Sequence, residues 1–318
     1  MTTPHRIDVH HHFVPQVYKD ALIACGDACP APGYQPPLQN WTEARTLDQM
    51  DRAGIASALL SVTTPGIHFG DDAAARRLAR QCNEAGAKMV ADRPRRFGLF
   101  AALPLPDIEG SLAEIAYALD QLKADGIGLY TNYDARFLGD AKFAPILEEL
   151  DRRRAVAFVH PTSCLCCSAL QPEIADAIIE YGTDTTRTIA SLVFGGAAAR
   201  HPNIRFIFCH AGGTMPYLIE RFIDFTGRDT AAMKAAMPHG MMHELTRFHY
   251  DLAQTAHPAP VAALRKIVPV EQLLFGTDYP YGKGCVGQVE GVARCDFSAV
   301  EHAAIDRDNA LRLVPRLG

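Results

Sequence analysis

The sequence has no dense lysine or arginine run, and its charge is slightly acidic, with 31 basic against 36 acidic side chains and a formal net charge of −5. Clustered cations are the footprint of nucleic-acid binding, so that class of partner is not expected. No stretch approaches the roughly 20 consecutive apolar residues that span a bilayer. The first ten residues lack the hydrophobic region of a secretory signal, so the expectation is a cytoplasmic protein with no membrane partner. No linker, composition break or internal repeat divides the 318 residues, and residues 1–318 read as a single domain. No Gly-x-Gly-x-x-Gly follows the first strand-like run, which removes the commonest dinucleotide signature. Nine cysteines are an odd number in a chain that reads as intracellular, so reduced thiols are expected. Their one cluster, Cys164-Leu165-Cys166-Cys167, lacks the second pair of a zinc-finger pattern and reads as a loop with incidental thiols.

What is present is an alternation. Apolar strand-like runs lie at 7–9, 56–62, 97–103, 126–129, 155–159, 204–209, 248–252 and 273–276. Between them lie helical stretches at 46–53, 72–92, 110–124, 144–153, 173–200, 216–225 and 260–268, with Asp71 or Asp72 as a start signal for the second. Strands separated by helices imply right-handed βαβ units and a parallel sheet. Eight such runs fit the typical length of a (β/α)8 barrel, about 250 residues. The Pro- and Gly-rich piece 29–41 reads as a small insertion after strand one.

Three short segments carry chemistry: Asp8-Val9-His10-His11-His12, Cys209-His210-Ala211-Gly212-Gly213 and Phe275-Gly276-Thr277-Asp278-Tyr279-Pro280. Side chains alternate along a strand, so Asp8, His10 and His12 share a face while Val9 and His11 turn away. Two imidazoles two residues apart can reach one metal ion. On a barrel, His10 and His12 end strand one, His160 ends strand five, His210 ends strand six and Asp278 ends strand eight. All five then stand on the C-terminal face, where barrel enzymes build their sites. Imidazoles with a carboxylate suit Zn²⁺, and less selectively Mn²⁺ or Fe²⁺.

The set HxH, HP, HAGG and GTDYP at these strand ends resembles the amidohydrolase superfamily. More narrowly it resembles the decarboxylase branch typified by 2-amino-3-carboxymuconate-6-semialdehyde decarboxylase. The resemblance covers nearly the whole chain, including Leu47-Asp48-Gln49-Met50-Asp51-Arg52-Ala53-Gly54 and Asn309-Ala310-Leu311-Arg312-Leu313. Within that branch His10 to Pro15, Leu103-Pro104-Leu105-Pro106 and Leu129-Tyr130-Thr131-Asn132-Tyr133 look most like the 6-methylsalicylate decarboxylases.

The resemblance implies that His10, His12, His160 and Asp278 are the metal ligands and that His210 is the acid/base. Either His210 or Asp278 delivers the proton. Arg221, eleven residues past His210, matches an arginine that binds a substrate carboxylate across a homodimer interface. The prototype's second carboxylate-binding arginine has no counterpart in 31–41, which favours a monocarboxylate such as an ortho-hydroxybenzoate over a dicarboxylate. Binuclear relatives carry a bridging lysine at the end of strand four, and Gly128-Leu129-Tyr130-Thr131-Asn132 contains none. One divalent cation is therefore expected, Zn²⁺ with Mn²⁺ as the alternative, and no organic cofactor.

The expected function is a metal-dependent, non-oxidative decarboxylase of a small aromatic or enoic carboxylic acid. A metal-dependent hydrolase of a lactone or amide on the same barrel is the alternative. A third reading is a non-enzymatic protein using the Cys164–Cys167 thiols. Among neighbouring residues, Asp251 is placed to accept the free N–H of a metal-binding histidine. His257 reads as a loop histidine without a role, with pocket lining as the alternative. Phe13 and Tyr281 read either as stacking partners for an aromatic ring or as ordinary packing, and His201, His239, His243 and His302 read as solvent-facing.

Overall fold

The computed structural model describes residues 5–26, 36–168, 173–226 and 230–318. Eight strands make one sheet whose spatial order follows the chain. They are β1 (Arg6–His12), β2 (Ile55–Ser61), β3 (Phe97–Ala102), β4 (Gly126–Tyr130), β5 (Val156–His160), β6 (Arg205–Phe208), β7 (His249–Asp251) and β8 (Leu273–Leu274). Neighbouring strands are parallel. The seam is closed by β1 and the segment after β8: Val9 N–H donates to Phe275 O at 3.0 Å, and His12 N–H to Tyr279 O at 2.8 Å. This is the (β/α)8 barrel that the alternation of runs predicts.

The barrel interior is an apolar plug. Ile7, Val9, Leu59, Phe100, Val156, Phe158, Ile207, Cys209 and Leu274 form one cluster, which Leu313, Val314 and Leu317 extend at the N-terminal ends of the strands. Each such side chain stabilises the fold by about 1.5–3 kcal/mol through burial. Residues of opposite phase, such as Leu60, Val159 and Phe208, pack outward into the larger core beneath the helices. The filled floor leaves the C-terminal strand ends as the face available for chemistry.

The helices are α1 (Gln16–Cys25), α2 (Glu43–Arg52), α3 (Asp72–Asp92), α4 (Ile108–Asp120), α5 (Ala144–Arg152), α6 (Asp176–Phe194), α7 (Ile219–Thr226), α8 (Pro258–Arg265) and α9 (Gly284–Ala293), with shorter turns between. Their starts follow capping chemistry, since the side chains of Thr42, Asp71 and Asp107 accept the backbone N–H three residues on. Among the described residues no helix is long and apolar enough to cross a membrane.

Two expectations are corrected, the 173–200 helix and the reduced state of every thiol, and two segments are filled in. The stretch 173–200 is not one helix: α6 ends at Phe194, and Gly195-Gly196 separates it from a short turn at Ala197–Arg200. Gln16–Cys25 is helical because Tyr18 and Leu22 bury one face, a short pattern easily taken for loop. Of the insertion after β1, Pro36–Gln39 forms one helical turn, and 27–35 lie outside the described residues. Cys25 is disulfide-bonded, against the expectation of reduced thiols, whereas the seven other described cysteines are free.

Candidate metal centre and active site

The alternation along β1 is broken by a bulge. Asp8 pairs with Ala58 and His11 with Leu60, so three steps on β1 match two on β2. The extra residue flips the phase. Ile7 and Val9 face inward below it, and His10 and His12 face inward above it. Asp8 is therefore not on the face of His10 and His12, as strict alternation predicts. It lies outside with His11, accepting from His11 Nδ1–H at 2.8 Å and from Thr277 N–H at 3.0 Å. His11 stacks on Tyr279 with ring centroids 4.7 Å apart, which fits its expected packing role.

His10, His12, His160 and Asp278 come together, their donor atoms all within 4.8 Å of one another and all four residues buried. His10 and His12 Nε2 are 3.2 Å apart. Asp278 Oδ1 lies 3.1 Å from His10 Nε2, 3.0 Å from His12 Nε2 and 3.9 Å from His160 Nε2. Gly276 permits this approach of β8 to β1, because a Cβ there would lie 2.9 Å from that of His10.

The outer ring nitrogens decide what these groups can hold. His10 Nδ1 is 2.9 Å from Asp251 Oδ2, His12 Nδ1 is 3.1 Å from Ser61 Oγ, with Ser61 O at 3.3 Å, and His160 Nδ1 is 2.7 Å from Pro161 O. Carboxylates and carbonyls only accept, so each Nδ1 carries the proton and each Nε2 presents a lone pair. Three lone pairs and a carboxylate oxygen then converge with no donor between them, and His160 Nε2 is buried without a hydrogen-bond partner. A cation satisfies all four. The orienting oxygens are the outer partners that metal-binding histidines commonly use; Asp251 is where the sequence places such a group, while Ser61 and Pro161 carry no motif.

Electrostatics follow the same geometry. Burial lowers His12 and takes His160 down to about 3. Burial also works against protonation of His10, but Cys209, Asp251 and Asp278 outweigh it and raise that ring well above its usual value, so a proton competes with a cation for His10 Nε2. Burial likewise opposes the Asp278 charge, and the His10, His12 and His160 rings overturn it, holding the carboxyl well below the usual range.

His210 follows β6 in a left-handed conformation, φ 55°, and Asp278 has φ 60°. Residues with a Cβ populate this region sparsely, and it clusters at functional sites. The turn brings His210 Nε2 to 3.5 Å from Asp278 Oδ2, otherwise buried and without a hydrogen-bond partner. Tyr130, Tyr181 and Tyr281 edge the site, with ring centroids 6.3 Å and 6.2 Å from His160 and 6.0 Å from His12 respectively. Tyr130 also lines a cavity of about 110 Å³ with Ile67, Leu103, Leu105 and Thr162.

Residues 7–316 match the model of the amidohydrolase family. The chain belongs to the amidohydrolase family. Within it the chain falls in the decarboxylase branch. It is 37% identical over 335 residues to a 6-methylsalicylic acid decarboxylase of Aspergillus aculeatus, covering 98% of this chain and 96% of that one. It is 35% identical to a 6-methylsalicylic acid decarboxylase of Penicillium expansum, covering 86% of this chain and 85% of that one. The chain superposes with a TM-score of 0.88 on a 5-carboxyvanillate decarboxylase of Novosphingobium aromaticivorans complexed with manganese. That alignment has 21% identity and covers 98% of this chain and 96% of the other, a likeness of fold.

The other residues singled out by the sequence stand outside this cluster. Arg221 is exposed on α7, outside the cluster of this one chain. Phe13 is buried under the helices, close to Gly86 of α3. His257 caps α8 by accepting Ala259 N–H. His201 is buried and donates to Ala197 O, not solvent-facing as its helix-end context suggests. Cys164 and Cys166 Sγ are 3.3 Å apart and Cys166 and Cys167 Sγ 3.7 Å apart, but this trio is not among the converging donor groups.

Proposed function

We propose that this chain is a metal-dependent, non-oxidative decarboxylase of a small aromatic acid with a hydroxyl ortho to its carboxylate. The observation that carries the reading is the convergence of three histidine lone pairs and the Asp278 carboxylate, with His210 immediately beside them. His10, His12, His160 and Asp278 would hold one divalent cation, and this donor set suits Zn²⁺ and Mn²⁺ alike. When bound, such a cation supplies Lewis-acid charge that polarises the substrate and orients it.

The protein's own groups supply the rest. Loss of CO₂ breaks the bond between ring and carboxyl carbon and leaves the electron pair on the ring. His210 and Asp278, 3.5 Å apart, form the pair that delivers a proton to that carbon and recovers one from water. Positioned acid catalysis of this kind contributes roughly 10²- to 10⁴-fold. Tyr130, Tyr181 and Tyr281 give the mouth an aromatic edge suited to a planar ring.

Arg221 binds the substrate carboxylate from the partner subunit of a homodimer. Its exposure on α7 and that of Tyr217, four residues earlier, support an interface there, and Ile178 and Ile179 of α6 are further exposed apolar side chains. Cytoplasmic residence belongs to the same reading, supported by the free thiols; the Cys25 disulfide speaks against it.

The deciding experiment pairs metal analysis of the purified protein with CO₂ release from 6-methylsalicylate and 2,6-dihydroxybenzoate. One cation per chain with CO₂ release supports the proposal. One cation with no CO₂, but turnover of lactones or amides, would replace it with the hydrolase. No bound metal would remove its basis.

A further inference from the structure

The two oxygens of Asp278 face different neighbours. Oδ1 lies among the ligand nitrogens, while Oδ2 lies 3.5 Å from His210 Nε2 and accepts from Gln254 Nε2–H at 3.2 Å. Rotation about the last carboxylate torsion is soft, so nothing intrinsic to aspartate keeps the two oxygens in separate roles.

Gln254 follows β7 by three residues and adopts φ 56°, the left-handed region. That uncommon conformation carries its amide to Asp278. Behind the amide stands Gly282, φ 62°, where a Cβ would come within 2.1 Å of Gln254 Nε2 and 2.4 Å of Oε1. Any side chain at 282 would push the amide away. Two segments distant in sequence are thus shaped around one hydrogen bond.

We propose that Gln254 is a positioning residue: its amide holds Asp278 Oδ2, reserving Oδ1 for the metal-binding cluster and setting the carboxylate edge toward His210, with Gly282 as the wall that keeps the amide in place. The inference rests on the reading of the cluster as a metal site. An amide suits the task because it donates without charge and has no acidic proton to compete with His210. A lysine or arginine here would form a charge-assisted pair with Asp278 and compete with the cation for it.

Gln254→Leu keeps most of the volume and removes the donor. Its affinity for Mn²⁺, read by competition with a chromogenic chelator and without substrate, is expected to fall 10- to 100-fold, as when outer partners of metal ligands are lost. kcat is expected to fall by a similar factor while KM changes little. Gly282→Ala should reproduce the loss of Mn²⁺ affinity in the wild-type background and add little to Gln254→Ala, whose short side chain leaves room. That non-additivity is the signature of the contact. Equal effects of Gly282→Ala in both backgrounds would mean backbone strain alone and would overturn the inference, as would unchanged Mn²⁺ affinity in Gln254→Leu. A wild-type protein that binds Mn²⁺ but releases no CO₂ would overturn only the proposed function; one that binds no metal would overturn both.

Discussion

Asp251 and His10 are joined through Asp251 Oδ2 and His10 Nδ1–H at 2.9 Å, both side chains fully buried. The other carboxylate oxygen accepts from His210 N–H at 3.1 Å and Ala253 N–H at 3.0 Å. One side chain at the end of β7 therefore sets both a ligand of the candidate metal centre and the backbone of His210, the histidine proposed to handle the proton.

Asp251→Asn removes acceptor capacity, because an amide nitrogen cannot accept the bonds that a carboxylate oxygen does. Metal affinity and kcat are expected to fall roughly 10- to 100-fold. Stability should drop by about 1–3 kcal/mol for the buried donor left unpaired. Chelator competition and urea unfolding measure the two effects; a variant unchanged in both would remove Asp251 from the site.

His210→Asn and Asp278→Asn should separate binding from proton handling. Both are expected to lose about 10²- to 10⁴-fold in kcat. His210→Asn should retain the wild-type metal content, since His210 is not one of the four converging donors. Asp278→Asn should lose metal affinity as well, and metal analysis beside CO₂ release distinguishes the two.

Removing the metal should unload four buried acceptors that then face one another. Dialysis against a strong chelator is expected to abolish CO₂ release and lower Tm by several degrees. Adding a divalent cation at 100 times its Kd should restore about 2.7 kcal/mol by linkage. Parallel titrations with Zn²⁺ and Mn²⁺ show which restores activity; full activity in the stripped protein would exclude a metal role.

Arg221→Ala should raise KM without changing Tm, because the side chain is exposed in the single chain. Mixing His210→Ala subunits, which lack the acid, with Arg221→Ala subunits tests its placement, read at substrate concentrations far below the raised KM. Activity recovered in mixed dimers supports Arg221 acting across the interface, and its absence opposes that role.

Glu149 provides a pH prediction remote from the site. Hydrogen bonds from Arg152 and then Arg153 lower its carboxyl to about 2, against an ordinary 4.5. The folded value is depressed, so the stabilisation is present above the unfolded value and is lost as pH falls from about 4.5 toward 2. Glu149→Gln is expected to destabilise by at most about 1 kcal/mol near neutral pH, given solvent screening. The difference from wild type should shrink through that window, as read from urea midpoints across pH.

Much of this architecture is visible in the chain itself. Ile7 through Leu274 mark the barrel because each buried strand is a short apolar run followed by a helical pattern. His10, His12, His160, His210 and Asp278 stand out because each directly follows such a run, and a parallel barrel sends every run's end to the same face. Arg221 shows the limit of that logic: its place on α7 is evident, while its neighbours in an assembly are not.

Strand order, the C-terminal face as the place of chemistry and the residue types gathered there are all legible in the linear chain, since they follow from local hydrophobic periodicity and from parallel connections. The direction in which each group points came from the folded barrel. A single bulge in β1 turned Asp8 away and His10 inward, against the strict alternation of a regular strand. Ser61, Pro161 and Gln254 became partners of the cluster through contacts between distant segments. No spacing along the chain encodes such contacts, because they form only when the closing barrel brings separate strand ends within hydrogen-bond reach.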